Sequence, residues 1–505
     1  MIGRRRFRAL LILAVPTLVA GCGGPEAPPA PPPVPVFSAQ RGYPLVSGEI
    51  IEHVMTRNPA RATSIGEHGH DRELPALFPT DLERARREAH GLLARLRDVH
   101  QPVLDRPDFF DYRVLEHALH AELLELETLQ AWQRDPARYV RVVDGAIDVL
   151  YADPTLSPDG RLGAIAARLR AAPLVFRAAR QNLEPTRVPP LFARMAVEEA
   201  QQLARGLSAG DSPPGFSGTS NAVRAEWEGA RRVAVASADS FVTWLQQSVL
   251  PAARGDFRMG AAALAEYLRY AHHADLPLDQ MQAINRQAIA DYREWLEREA
   301  LQFDPLRRPA DILESMVAST PGATLLIAPE AVPATPSSAS IVRRLLPASA
   351  TAAAWAHFED VDGIESEATS RADRLLGIAR ALHGHALLEA MLSLHAADGT
   401  IDRAAEDIAA IAYISRDEAR REAERLAYDP AYGLPALGRM QLIALREQLR
   451  AQRGGTVDGT FGQTFLGLAL PFGPAAEAML GREPTGLLTP GRRTPGVPEP
   501  PRIGQ

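Results

Sequence analysis

The sequence predicts an all-α, or nearly all-α, fold: a large multi-helix scaffold with at most a few short strands. Three observations carry this. Apolar residues recur at steps of three and four through most of the chain, as in Leu82, Ala85, Ala89, Leu92 and Leu96. Helix-start signals stand before many of these runs and Gly/Pro breaks follow them. No βαβ alternation, no glycine-rich loop after a strand and no fixed repeat interrupts the pattern. The best strand candidate is LLIAP at 325–329, with VRRLL at 342–346 second.

The chain begins with Arg4, Arg5, Arg6 and Arg8, then the apolar run ALLILAVPTLVA, then Gly21 and Cys22. That run is too short for a stable membrane span and predicts a signal peptide over 1–21. LVAGC at 18–22 is similar to a bacterial lipoprotein signal, in which the cysteine becomes the lipidated first residue of the mature protein. Cys22 is the only cysteine of the chain, so it is the expected lipidation site, carrying palmitate-type acyl chains, and no internal disulfide can form. Gly23, rather than Asp, after it points to the outer membrane, with the protein facing the periplasm. Residues 22–44, rich in proline, read as a semi-extended tether holding a folded body clear of the membrane.

That body is expected as one large helical unit over 45–480, with any division into two lobes falling near 250–275. Thr80, Asp81 and Glu83 give a capping box before the first strong helix. Leu115, Leu119, Leu123 and Leu126 mark another within 108–132, and further helices are expected near 137–150, 158–181, 187–208, 221–249, 278–301 and 306–319. Between Pro329 and Ala354, small residues and prolines give an irregular crossing segment. Ile364 to Leu449 is then the stretch around which the chain is organised, with breaks at Asp398-Gly399-Thr400, a capping box at Ser415 and Glu418, and a helix start at Pro430. A last helical segment is expected over 460–480, and the Pro/Gly-rich tail 481–505 reads as disordered.

Composition narrows the function classes. The formal net charge is -7, with 46% hydrophobic and 23% charged residues, which gives no reason to expect a nucleic-acid partner. Every basic residue is arginine, so Schiff-base and P-loop lysine chemistry is excluded. Ser217 in GFSG lacks the apolar strand of a nucleophile elbow.

Several ordered segments resemble the bacterial domain-of-unknown-function family 885. They are NPARATSIGEHGHD at 58–71, LPAARGDFRMG at 250–260, LSLHAADGTIDRAAEDI at 392–408 and RLAYDPAYGLPALGRMQLIALR at 425–446. The resemblance spans roughly 45–480 and implies a large helical, secreted or lipoprotein scaffold related in design to zinc metallopeptidases. It places His395 in a family histidine position, with Thr400 where tryptophan is usual and Ala431 where glycine is usual. It also implies a zinc-binding His-Glu motif near 330–357. This chain departs sharply there: 330–342 holds no histidine, and none of its 13 histidines is followed by glutamate. Without two imidazoles one helical turn apart and a carboxylate between them, HExxH chemistry has no residues to run on.

A displaced metal site has weak candidates in His383, His385, Glu389 and His395, with Glu365 or Glu367 as further carboxylates. His385 and Glu389 are four apart on one helix face, whereas His383 points away and His395 would approach from the helix end. Satisfied structural histidines are the simpler reading, and no cofactor is expected beyond zinc at that site. Glu116, His117 and His120 read as a solvated surface, His68, His70 and Asp71 as a loop cluster, and His272-His273 as a helix end. The expected function is therefore an envelope lipoprotein, a non-catalytic relative of zinc peptidases with a peptide-binding or structural role and a peptide or envelope-protein partner. The alternative is a metal-dependent peptidase or other hydrolase with a displaced, non-HExxH site. A closed or apolar groove beside 330–360 favours binding; convergent histidines and acids favour the enzyme.

Overall fold

The computed structural model describes residues 36–209, 217–320, 323–326, 333–361, 364, 369–455 and 459–500. Among these there is no β-strand, and the fold is almost entirely helical. The LLIAP candidate lies partly outside the described residues; the VRRLL candidate is helical instead, because Ser340 caps a short helix by accepting from Arg343 N.

The helices pack around three apolar cores. One gathers α1 (Val36–Arg57), α3 (Pro79–Arg97) and α4 (Arg106–Leu123) near the start of the chain; α2 (Pro59–Ser64) lies outside it, and α5 (Ala131–Arg134) is a single turn. A second is built by α6 (Ala137–Ala152), α7 (Pro158–Asn182), α8 (Pro190–Ser208) and α9 (Asn221–Trp244). The third involves α10 (Ala261–His272), α11 (Leu278–Phe303) and α12 (Pro309–Ser319). Next, α13 (Ile341–Leu345) and α14 (Ser349–Asp360) join the first core through Val342, Trp355 and Phe358, and α15 (Arg371–Ala396), α16 (Ile401–Ala412) and α17 (Arg416–Tyr428) complete the third. The last helices, α18 (Pro435–Arg453), α19 (Phe461–Leu468) and α20 (Phe472–Leu480), return to the first core. There Leu442, Leu445 and Phe465 meet Leu96, Leu115 and Leu119. The chain thus closes on itself.

α15 is the hub. It is apolar on every side, so it is a buried helix and not a surface one, and it packs on α10, α11, α12, α16, α17 and α18. Ser370 caps it through Asp373 N. Short residues permit the closest approaches: a Cβ on Gly438 of α18 would sit 2.2 Å from the Ala354 Cβ of α14.

Several local expectations are corrected. The first helix runs over Val36–Arg57, so it includes part of the stretch read as tether. The α3 box uses Asp81, whose carboxylate accepts from Phe78 N at 3.2 Å; Glu83 instead pairs with Arg86. Pro79 occupies the first helical position, and the N-cap moves from Thr80 to Phe78, two residues earlier. The Ser415–Glu418 box forms as expected, with both reciprocal bonds. Pro430 opens only a short turn over Pro430–Gly433, and the long helix begins at Pro435. The helices α4 and α9 each end in a wider π-type turn, at Leu124–Leu129 and Leu245–Val249, which an apolar period cannot register.

The C-terminal tail also differs from the disorder its composition suggests. Residues 481–500 form no helix, but Thr494 donates through N and Oγ1 to Asp291, at 2.8 and 2.6 Å, and Arg493 pairs with Asp291 and Glu294. Val497 is buried in the core around α15. The tertiary partner on α11 supplies what the tail lacks locally.

Candidate functional site

The four residues proposed as metal ligands all lie on α15, three of them sealed from solvent: His383, His385 and His395 are 0–1% exposed. His385 faces α11. Its Nδ1 lies 2.9 Å from Asn285 Oδ1, while Asn285 Nδ2 donates to His385 O at 3.0 Å and to Glu389 Oε2 at 3.2 Å. Because the amide nitrogen is committed to two acceptors, Oδ1 must be the acceptor, which puts the proton on His385 Nδ1. Glu389 is further held by Arg286 Nε at 2.9 Å and by Gln282. Asn285 therefore stands between the imidazole and the carboxylate that a metal would have to share.

His395 instead faces α17, donating from Nε2 to Leu426 O at 2.9 Å, with Phe257 edge-on against its ring. His383 feels Glu418 at the start of α17. Burial pushes His385 down to about 3, with the Arg439 charge adding to it, and pushes His383 down to about 4. Both rings are neutral at physiological pH. The four candidates do not converge: among the described residues no three His, Cys, Asp or Glu side chains form a metal-ligand group. Glu365 and Glu367 lie outside the described residues, as does Cys22.

The zinc motif that the family resemblance implies finds no fit near 330–357. The only histidine of that stretch, His357, is 2% exposed inside α14, and burial holds its pKa well below the usual imidazole range. Its Nδ1 has no hydrogen-bond partner.

Other histidines join elements of the scaffold. His117 and His120 of α4 are not a solvated face. His117 stacks on His273 at 4.6 Å, and His120 stacks on Tyr270 at 4.5 Å, which joins α4 to α10. His68 Nδ1 donates to Asp71, whose other oxygen accepts from Thr63 Oγ1 at 2.7 Å. Behind them the fully buried Arg168 of α7 donates to Thr63 Oγ1, Glu73 O and Ala146 O. The segment 58–71 is thus stapled to the second core. In 425–446, Tyr428 OH donates to Asp135 across 293 residues of sequence. Gly255 is obligatory for packing, since a Cβ there would meet Arg187 O at 1.8 Å. The segments that carry the family resemblance are joints of the scaffold.

One of several concave features of this surface lies elsewhere, beside α14. A cavity of about 450 Å³ opens between α2, residues 333–337, the α13–α14 connection and the end of α19. Ile65, Phe465, Leu466 and Leu470 are among its apolar lining, and Arg61 and Arg344 are its charged residues. Sequence reading did not single out either arginine: Arg61 lies in the 58–71 segment and Arg344 in VRRLL, and they meet only through the fold, where Arg61 donates to Leu345 O and Arg344 O.

A closed helical scaffold with sealed histidines and a cavity at its rim defines the class. The chain belongs to the family described as bacterial protein of unknown function (DUF885), whose model matches residues 59–326. Its fold is similar to that of a candidate lipoprotein of unknown function from Shewanella oneidensis, at TM-score 0.64 and 16% identity. It is also similar to that of a candidate lipoprotein from Colwellia psychrerythraea, at TM-score 0.67 and 11% identity. Each alignment covers 87% of this chain and 99% of the other. No curated protein matches this sequence. At such identities the likeness speaks for the fold. Among the described residues no helix is long and apolar enough to cross a membrane.

Proposed function

We propose that this chain is a lipid-anchored envelope protein that keeps a family scaffold as a peptide-binding module and does not run metal-dependent hydrolysis on it. The observation that carries this reading is the state of the α15 histidines. A metal ligand or general base must present a free lone pair to a site that substrate can enter. His385 and His395 are instead buried and bonded to separate helices. Any relation to zinc peptidases is then one of scaffold alone.

The cavity beside 333–352 is the place we assign to a ligand, because it is concave, mostly apolar and carries a few fixed polar groups. Lipidation at Cys22, retention at the outer membrane and a periplasm-facing body complete the reading. They rest on the LVAGC segment and on Gly23.

The test is metal content. The full chain is purified without chelator or metal-affinity resin, and zinc per chain is measured by mass spectrometry. Far less than one zinc per chain is expected, unchanged in the double variant His385→Gln, Glu389→Gln. Near-stoichiometric zinc that disappears in that variant overturns the reading and favours a hydrolase with a displaced site.

A further inference from the structure

We infer that the cavity between α2 and α14 is a carboxylate-recognition site, and that its occupant is the free C-terminal carboxylate of a peptide. This deepens the binding role proposed above and rests on it.

The first observation is charge. Among the described residues no Asp or Glu lines the cavity. Arg61 is half-buried, and its guanidinium meets only neutral acceptors: Leu345 O at 3.1 Å, Ser64 Oγ at 3.4 Å and Arg344 O. Burial lowers its pKa, and no neighbouring carboxylate raises it again. A cation in this state is an electrostatic deficit, since partial desolvation is not offset by an opposite charge.

The second observation is an orphaned donor. Arg344 donates through Nη1 to Ile65 O at 2.8 Å, and its Nη2 lies 3.8 Å from Glu67, yet its Nε is buried without any hydrogen-bond partner. Several other arginine Nε groups are buried in the same way, and what sets Arg344 apart is that its side chain borders the cavity beside Arg61. A carboxylate supplies two acceptor oxygens matched to a guanidinium edge and cancels the local charge.

The third observation selects the body attached to that carboxylate. The wall of Ile65, Phe465 and Leu466 accepts small apolar side chains. Thr335, Ser337 and Ser349 also line the cavity, and side chains that can hydrogen-bond suit a peptide backbone better than an acyl chain. The volume falls within the roughly 300–1,000 Å³ range of ligand pockets.

The experiment uses the full chain in detergent and three probes: fluorescein-labelled trialanine with a free C-terminus, the same peptide amidated, and octanoate as competitor. Fluorescence polarisation is expected to show saturable binding of the acid and at least about tenfold weaker binding of the amide, roughly 1.4 kcal/mol. Arg344→Gln is expected to remove that preference. Because the arginines also clamp backbone, a second variant leaves them alone: Ala352→Phe fills the cavity from α14. It is expected to abolish binding of the acid while thermal unfolding stays where it was.

Equal binding of acid and amide, unaffected by Ala352→Phe, overturns this site while leaving the binding role intact. Octanoate bound in place of the peptide overturns the peptide assignment. No binding of any probe to a folded, zinc-free chain overturns the carboxylate site.

Discussion

His385 and Asn285 stand 100 residues apart in sequence and 2.9 Å apart in the fold, ring Nδ1 to amide Oδ1. The same amide also holds Glu389 and the His385 carbonyl, so one side chain on α11 fixes both candidate ligands of α15.

Asn285→Ala should therefore destabilise the protein without opening a site. It leaves the buried His385 Nδ1–H and one Glu389 oxygen without their partner, at about 1–3 kcal/mol for each unsatisfied group. A urea midpoint within experimental error of the parent would show that the amide does not hold these helices together.

Acid should weaken the fold through the same helix. His385 and His383 have folded pKa values of about 3 and 4, against about 6.5 when unfolded. Above pH 6.5 neither form binds the proton and stability is flat. Below it the unfolded chain takes up protons that the folded chain refuses, so stability falls as pH drops from 6.5 towards 4. The slope is on the order of 1.4 kcal/mol per pH unit for each histidine. Urea midpoints from pH 7.5 to 4.5 measure it. His385→Gln should flatten the curve by about one proton, and an unchanged slope would contradict a sealed, neutral ring.

The α14–α18 contact makes a steric prediction. Gly438→Ala places a methyl 2.2 Å from the Ala354 Cβ, and neither group can swing away. Overpacking of this kind costs about 1–3 kcal/mol. Adding Ala354→Gly should restore part of the loss in thermal unfolding; a double variant no better than the single would place the strain elsewhere.

Membrane attachment is expected to depend on Cys22. In bacterial cells, Cys22→Ser should move the protein from the detergent phase to the aqueous phase, and mass spectrometry of the parent N-terminal peptide should show acyl chains. A variant that stays in the membrane fraction would point to another anchor.

Much of the fold was legible because helices are local. The α7 and α11 boundaries follow the apolar period closely, and Ser415 with Glu418 forms the reciprocal cap that their spacing predicts. The candidate site was legible only as a set of residue types. Period placed His385 and Glu389 on one face, but what occupies the space before that face is Asn285, whose position depends on how α11 packs. The α4 histidines were misplaced for a related reason: Tyr270 and His273 arrive from a helix more than a hundred residues away and turn an expected wet surface into an interface.

The sequence by itself determined an almost entirely helical fold, the absence of an HExxH motif, and a single cysteine after a short apolar run. These are statements about neighbours along the chain, where backbone hydrogen bonds and the 3.6-residue period act. The tertiary structure alone decided that the α15 histidines are locked apart, that the tail is tied to Asp291, and that Arg61 and Arg344 share one cavity. Those outcomes depend on burial and on long-range contacts, and a side chain's charge state and partners are set by what surrounds it in space.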